Sequence, residues 1–211
     1  MDVDDAQAGE QDAMREMEHM HHGDTPHMHL TAARTQTAED LKRAEEIVEQ
    51  LRAGIEKYKD FHVALSEGFK IFLPNVKQEE YHFTNYKNGL LERNTFDPAR
   101  PTSLLYKKTV SGYELVGGMY TMPKWASEDQ LNERVPLSVA SWHVHTNLCL
   151  PPKSERQTAD YTRFGLRGSI TTQEACEAAG GKFYPVIFGW MVHVYPYEES
   201  NPKIFAMHHM E

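Results

Sequence analysis

Cysteine is scarce in this chain: only Cys149 and Cys176 occur among its 211 residues. Two thiols are too few for a disulfide scaffold and suit one bridge. That bridge would close a loop of about 27 residues and contribute roughly 3–4 kcal/mol by the chain-entropy relation. Two alternatives stand beside it: a pair of free thiols in a cytosolic protein, or Cys149 as a thiolate ligand to zinc or copper. Long apolar runs are lacking too. The longest, Pro185 to Val194, is about strand-sized and contains His193. A bilayer-spanning helix needs roughly 18 apolar residues, so membrane insertion is not expected.

Positive charge is in deficit, with 22 Lys and Arg against 31 Asp and Glu, a formal net charge of -9. Such a balance repels phosphate backbones and anionic lipid, so a nucleic-acid partner is not expected. No apolar stretch of signal-peptide type opens the chain. The acidic start and the cysteine pair fit an exported protein whose signal has been removed, periplasmic or secreted, with a cytoplasmic location as the alternative. Several catalytic signatures are also missing. There is no GxSxG elbow, no HExxH and no CxxCH, which removes the corresponding hydrolase, zinc-protease and c-type haem chemistries. A phosphate loop, βαβ alternation and internal repeats are absent as well.

What is present begins with residues 1–35, acidic and rich in Met and His, which read as a flexible tail. Residues 36–211 read as a single domain. Thr37, with Asp40 three positions on, resembles a capping box. Leu41, Ala44, Val48, Leu51, Ile55 and Tyr58 then recur at spacings of three and four, the stripe of an amphipathic helix. The pattern predicts a helix to about Ser66, with Gly68 beyond its end. Short β-like runs follow: 70–73, 81–86, 103–108, 113–120, 137–148 and 186–195. A turn at Val110-Ser111-Gly112 suggests a hairpin. Ser127 and Thr171 read as caps of short helices. The expected fold is α+β: a long N-terminal amphipathic helix packed on a mainly antiparallel sheet, with short extra helices.

The richest chemistry lies in Ser141-Trp142-His143-Val144-His145-Thr146-Asn147-Leu148-Cys149. Alternate strand residues share a face, so His143, His145, Asn147 and Cys149 are expected to point one way. Buried imidazoles need partners, and a metal ion is an efficient one. His193, in an otherwise apolar run, is the first candidate for a third ligand. His82, between aromatics, is the second, and His62 is weaker. The blander alternative for each is a hydrogen-bonded core histidine. Glu67 is a weak catalytic candidate, more often a solvated helix-end carboxylate. Tyr81, Tyr120 and Trp142 are candidates to line a pocket. In the tail, His19, His21, His22, His27 and His29 interleave with methionines, a composition suited to labile metal capture. Met207-His208-His209-Met210 repeats that theme weakly.

The expected cofactor is therefore a transition metal ion, copper or zinc. Three functions compete: a metal-binding protein of an oxidising compartment, a metalloenzyme (oxidoreductase or hydrolase) with an open coordination position on the same site, and a domain in which the histidines serve a small-molecule ligand or the fold alone.

Overall fold

Thr37 starts the long helix as its spacing predicts. In the computed structural model, which describes residues 26–72, 74, 78–156 and 158–209, Thr37 Oγ1 accepts from the Asp40 amide at 3.1 Å and Asp40 Oδ2 accepts from the Thr37 amide at 3.1 Å. Two otherwise orphan amides are thereby satisfied. Helix α1 spans Ala38–Ile55 and buries Ala44, Ile47, Val48, Leu51 and Ile55. Leu41, at the edge of the expected stripe, is exposed, and Ile47 takes its place. The helix does not continue unbroken to Ser66. It tightens into a 3-10 turn over Glu56–Lys59, and Asp60 leaves the helical region to cap a second helix, α2, Phe61–Ser66, by accepting from the His62 amide. An Asp side chain offering its own cap competes locally with helix propagation, and here it prevails.

The strands are β1 (Met28–Leu30), β2 (Lys70–Ile71), β3 (Tyr81–Thr84), β4 (Ser103–Thr109), β5 (Gly112–Met122), β6 (His143–Leu150) and β7 (Lys182–Val194). They form one seven-stranded antiparallel sheet in the order β1-β6-β7-β5-β4-β3-β2. With the helices the class is α+β, as the sequence suggested. The β4–β5 hairpin closes on a Thr109–Gly112 pair, leaving Val110-Ser111 as the loop. The remaining helices are short: α3 (Tyr86–Glu92), α4 (Glu128–Arg134), α5 (Gln173–Ala178) and α6 (Asn201–Ile204). Ser127 caps α4 in a capping box with Gln130. The cap of α5 is Thr172, one residue later than the expected Thr171. Among the described residues no helix is long and apolar enough to cross a membrane.

The chain divides into two compact units. One contains Val144–Phe188 with residues 26–29. Its core includes the disulfide Cys149–Cys176, packed with Phe164 and Ile170. Cys149 is thus a half-cystine and not a metal ligand. Asn147 lies in β6 with φ 56°. A left-handed residue breaks the two-residue alternation of a strand, so the expectation of one shared face from His143 through Cys149 fails beyond this point. The other unit contains Leu30–Phe72, Glu79–His143 and residues 189–209. Here Leu51 of α1 and the 3-10 turn that follows it lie against one face of the sheet. A methyl group placed on Gly118 of β5 would stand 2.9 Å from Leu51 Cδ1, and the Tyr106 hydroxyl of β4 donates to the Tyr58 carbonyl at 2.7 Å.

Candidate metal centre

The second unit uses the opposite face of its strands differently. Register fixes which side chains share that face. His82 of β3 pairs with Leu105 of β4, Leu105 pairs with Gly117 of β5, and Met119, two residues beyond Gly117, pairs with His193 of β7. Paired residues share a face, as do residues two apart. His82 and His193 therefore stand on one face, and the two-residue rule adds Glu80 and Tyr195. On a flat sheet β3 and β7 would lie about 14 Å apart, three strand spacings. Two features shorten the gap. Val116 is an extra residue opposite the Leu105–Tyr106 step, a bulge of the kind that bends a sheet. Gly117 also carries no side chain between the two histidines. A methyl group there would meet the Val194 carbonyl at 2.5 Å and Tyr195 Cδ1 at 2.9 Å.

The result is a cluster. One donor atom each from Glu80, His82 and His193 lie within 4.8 Å of one another. The His82 and His193 rings are 5.5 Å apart by centroid, and the His143 ring is 5.3 Å from His193. His143 and His193 are each 5% exposed, and the Glu80 side chain is 11% exposed. His193 Nδ1 lies 2.6 Å from the Met207 carbonyl. A carbonyl only accepts, so Nδ1 carries the hydrogen and the bare lone pair of His193 is on Nε2. Tyr195 donates its hydroxyl to Glu80 Oε1 at 3.2 Å, and its oxygen is 3.3 Å from His193 Nδ1. His82 Nδ1 and Glu80 Oε2 are buried without a hydrogen-bond partner. Buried polar atoms of this kind are costly and call for an explanation such as an ion.

The electrostatics suit a cation. Burial pushes the His82 imidazole down to about 4. Burial first, then His143, His82 and His208, holds His193 well below the ordinary imidazole range. Both rings are neutral at pH 7, the form that ligates a metal. Burial pushes the Glu80 carboxyl up to about 8, against the opposing pull of the Tyr195 hydroxyl and Lys107. A bound cation would reverse that shift, because opposite charge favours the ionised form.

The other expected residues lie elsewhere. The boundary between the units falls between His143 and Val144. His145 belongs to the first unit, 1% exposed, with its ring 6.3 Å from Phe188. His27, in that same unit, is buried with Nε2 2.7 Å from the Gly168 carbonyl, and His29 is exposed on β1. His19, His21 and His22, named for metal capture, lie outside the described residues. Glu67 lies apart from the histidine cluster, in an ion pair: both its oxygens accept from Lys57 Nζ at 2.7 Å and one also from the Tyr58 hydroxyl at 2.7 Å. Those contacts, Lys57 first, lower its pKa. His62 is exposed and stacks on Phe61 at 4.0 Å. Tyr120 donates to the Pro98 carbonyl and Trp142 Nε1 to the Val135 carbonyl, while Tyr81 packs its ring against Tyr113, so all three serve the core.

Sequence reasoning missed Glu80 and Tyr195. The signal was available: each is two residues from a candidate histidine, just beyond the end of its strand. It also left the C-terminal Met-His segment unconnected to the site. No protein-family model, no curated protein and no solved structure matches this chain.

Proposed function

We propose that the protein binds a transition metal ion, zinc or copper, through His82, His143 and His193 with Glu80 as a further donor. The observation that carries this reading is the convergence of donor atoms from Glu80, His82 and His193 within 4.8 Å, on a face where two of their polar atoms are buried without partners. Imidazole and carboxylate donors suit Zn(II) or Cu(II) better than soft Cu(I). The disulfide supports an oxidising compartment, periplasmic or extracellular. The acidic balance argues against a nucleic-acid partner.

A second reading, catalysis at an open coordination position, is favoured by one observation. The Glu80 carboxyl, its side chain 11% exposed, stands beside the imidazoles and accepts from the Tyr195 hydroxyl at 3.2 Å. A carboxylate held next to an open coordination position would be suited to proton transfer with a bound water or ligand. A small-molecule ligand would then occupy the open position.

The test is metal analysis of protein purified without metal-affinity resin, followed by titration with zinc and with copper(II). The tail histidines stay in place in every variant, so differences report this site. The wild-type chain is expected to bind one more equivalent than His82→Ala or His193→Ala, each checked for fold by circular dichroism. Equal uptake by all three proteins overturns the proposal. Titrating the cobalt(II) form with azide separates the two readings, because only a site with an exchangeable water takes up the anion and shifts its visible spectrum.

A further inference from the structure

The face of the sheet that carries the histidines is not covered by α1. The C-terminal segment lies against it. After β7, Tyr195 returns its amide to the Ile204 carbonyl at 2.7 Å, and Ile204 and Phe205 are buried. His209 Nε2 meets Glu198 Oε1 at 2.8 Å, and its ring stacks edgewise on Tyr195 at 5.3 Å. These contacts hold residues 205–209 in place. Between the two anchors, the Met207 carbonyl takes the Nδ1 hydrogen of His193 at 2.6 Å, and the His208 ring lies 6.2 Å from His193.

Resting on the metal-binding reading above, we infer that the C-terminal segment is part of the metal centre: the Met207 carbonyl orients His193, and His208 supplies an additional imidazole donor to the ion. Two independent observations carry this. A carbonyl bonded to the remote nitrogen of a ligating histidine fixes its tautomer and ring orientation, a recurrent device of metal sites. His208 also makes His193 the centre of three other imidazoles, His82, His143 and His208, with ring separations of 5.5, 5.3 and 6.2 Å. The Met207-His208-His209 run, which by sequence only echoes the N-terminal Met-His tract, thus acquires a role distinct from it. Residues 205–209 are then stabilised by the ion they help to hold, because a ligand that binds only the ordered form of a segment favours that form.

The experiment uses the full-length chain. Zinc affinity is measured by competition with a chromophoric chelator for wild type, His208→Ala, His82→Ala and, as a surface control, His62→Ala. His208→Ala is expected to weaken zinc binding about tenfold or more, the usual effect of removing a donor or its support. Added imidazole is expected to restore part of that loss, and the cobalt(II) spectrum to change, neither of which follows from a purely structural role. In parallel, a serine carboxypeptidase trims the C-terminus with and without zinc, read by intact mass. Zinc is expected to slow trimming into residues 206–209 in wild type and to do so less in His208→Ala. If His82→Ala loses the site while His208→Ala matches wild type in affinity, spectrum and trimming rate, this inference falls and the metal-binding reading stands. If wild type and His82→Ala bind zinc equally, both fall.

Discussion

Glu92 offers a test of how the second unit handles a buried charge away from the histidine cluster. It is the last residue of α3 and is 4% exposed. Its Oε2 accepts from the Thr102 hydroxyl, from the Thr121 amide at 3.1 Å and from the Thr121 hydroxyl at 3.4 Å. Burial outweighs these donors and the pull of Arg134, and raises the pKa from 4.5 to about 7. The folded value lies above the unfolded one, so between about pH 4.5 and 7 the folded protein binds more protons than the unfolded chain. Stability therefore falls as pH rises through that window and levels off above it. A shift of about 2.5 units at 1.36 kcal/mol each gives a ceiling of about 3 kcal/mol. Glu92→Gln keeps the shape and an acceptor oxygen but cannot ionise. Its stability relative to wild type is expected to improve by about 2–3 kcal/mol between pH 4 and pH 8. Urea unfolding of both proteins across that range measures the change. Contributions from Glu80 and His82 are common to both proteins and cancel in the difference. A difference that stays flat with pH, or that moves against the variant as pH rises, would refute the reasoning.

Two other perturbations test separate parts of the structure. Replacing Cys149 and Cys176 together by Ser opens a loop spanning 27 residues; the expected cost is about 3–4 kcal/mol, read as a lower urea midpoint that matches the wild-type chain under reducing conditions. Gly117→Ala would place a methyl group 2.5 Å from the Val194 carbonyl, so β7 must shift; a loss of about 1–3 kcal/mol and weaker zinc binding are expected, and unchanged zinc affinity would show that the close approach of the strands is not needed.

How much of this was legible beforehand depends on how local each cause is. Helix α1 was readable because its cap and its stripe lie within one stretch of chain, and Thr37 and Asp40 bond as their spacing predicts. Its break at Asp60 was not, because the same residue type can extend a helix or start a new one, and only the geometry around Phe61 decides. The ladder of β4 and β5 followed from a turn signal. Members of the candidate cluster were legible in part. His193 and His82 were chosen for being polar in apolar surroundings, which is a local property. Their meeting depends on register across four strands and on a bulge at Val116, neither visible in any single segment. The pairing of His143 with His145 rested on simple alternation. Among the described residues, the donor group that converges joins β3 with β7 instead. The two cysteines left bridge and ligand roles open, since connectivity through space decides between them.

The alternation along β3 and β7 has a consequence for how such a protein can change over time. In and just after β7, Val192 and Val194 are 1% and 0% exposed and belong to one set of positions, while His193 and Tyr195 belong to the other. In and before β3, Tyr81 and Phe83 alternate with Glu80 and His82 in the same way. Each strand is thus two interleaved messages, one that keeps the fold and one that sets the chemistry. On the metal-binding proposal, substitutions at the second set would retune which ion is held while leaving the first untouched. Metal preference and foldability are then free to drift at different rates within the same few residues.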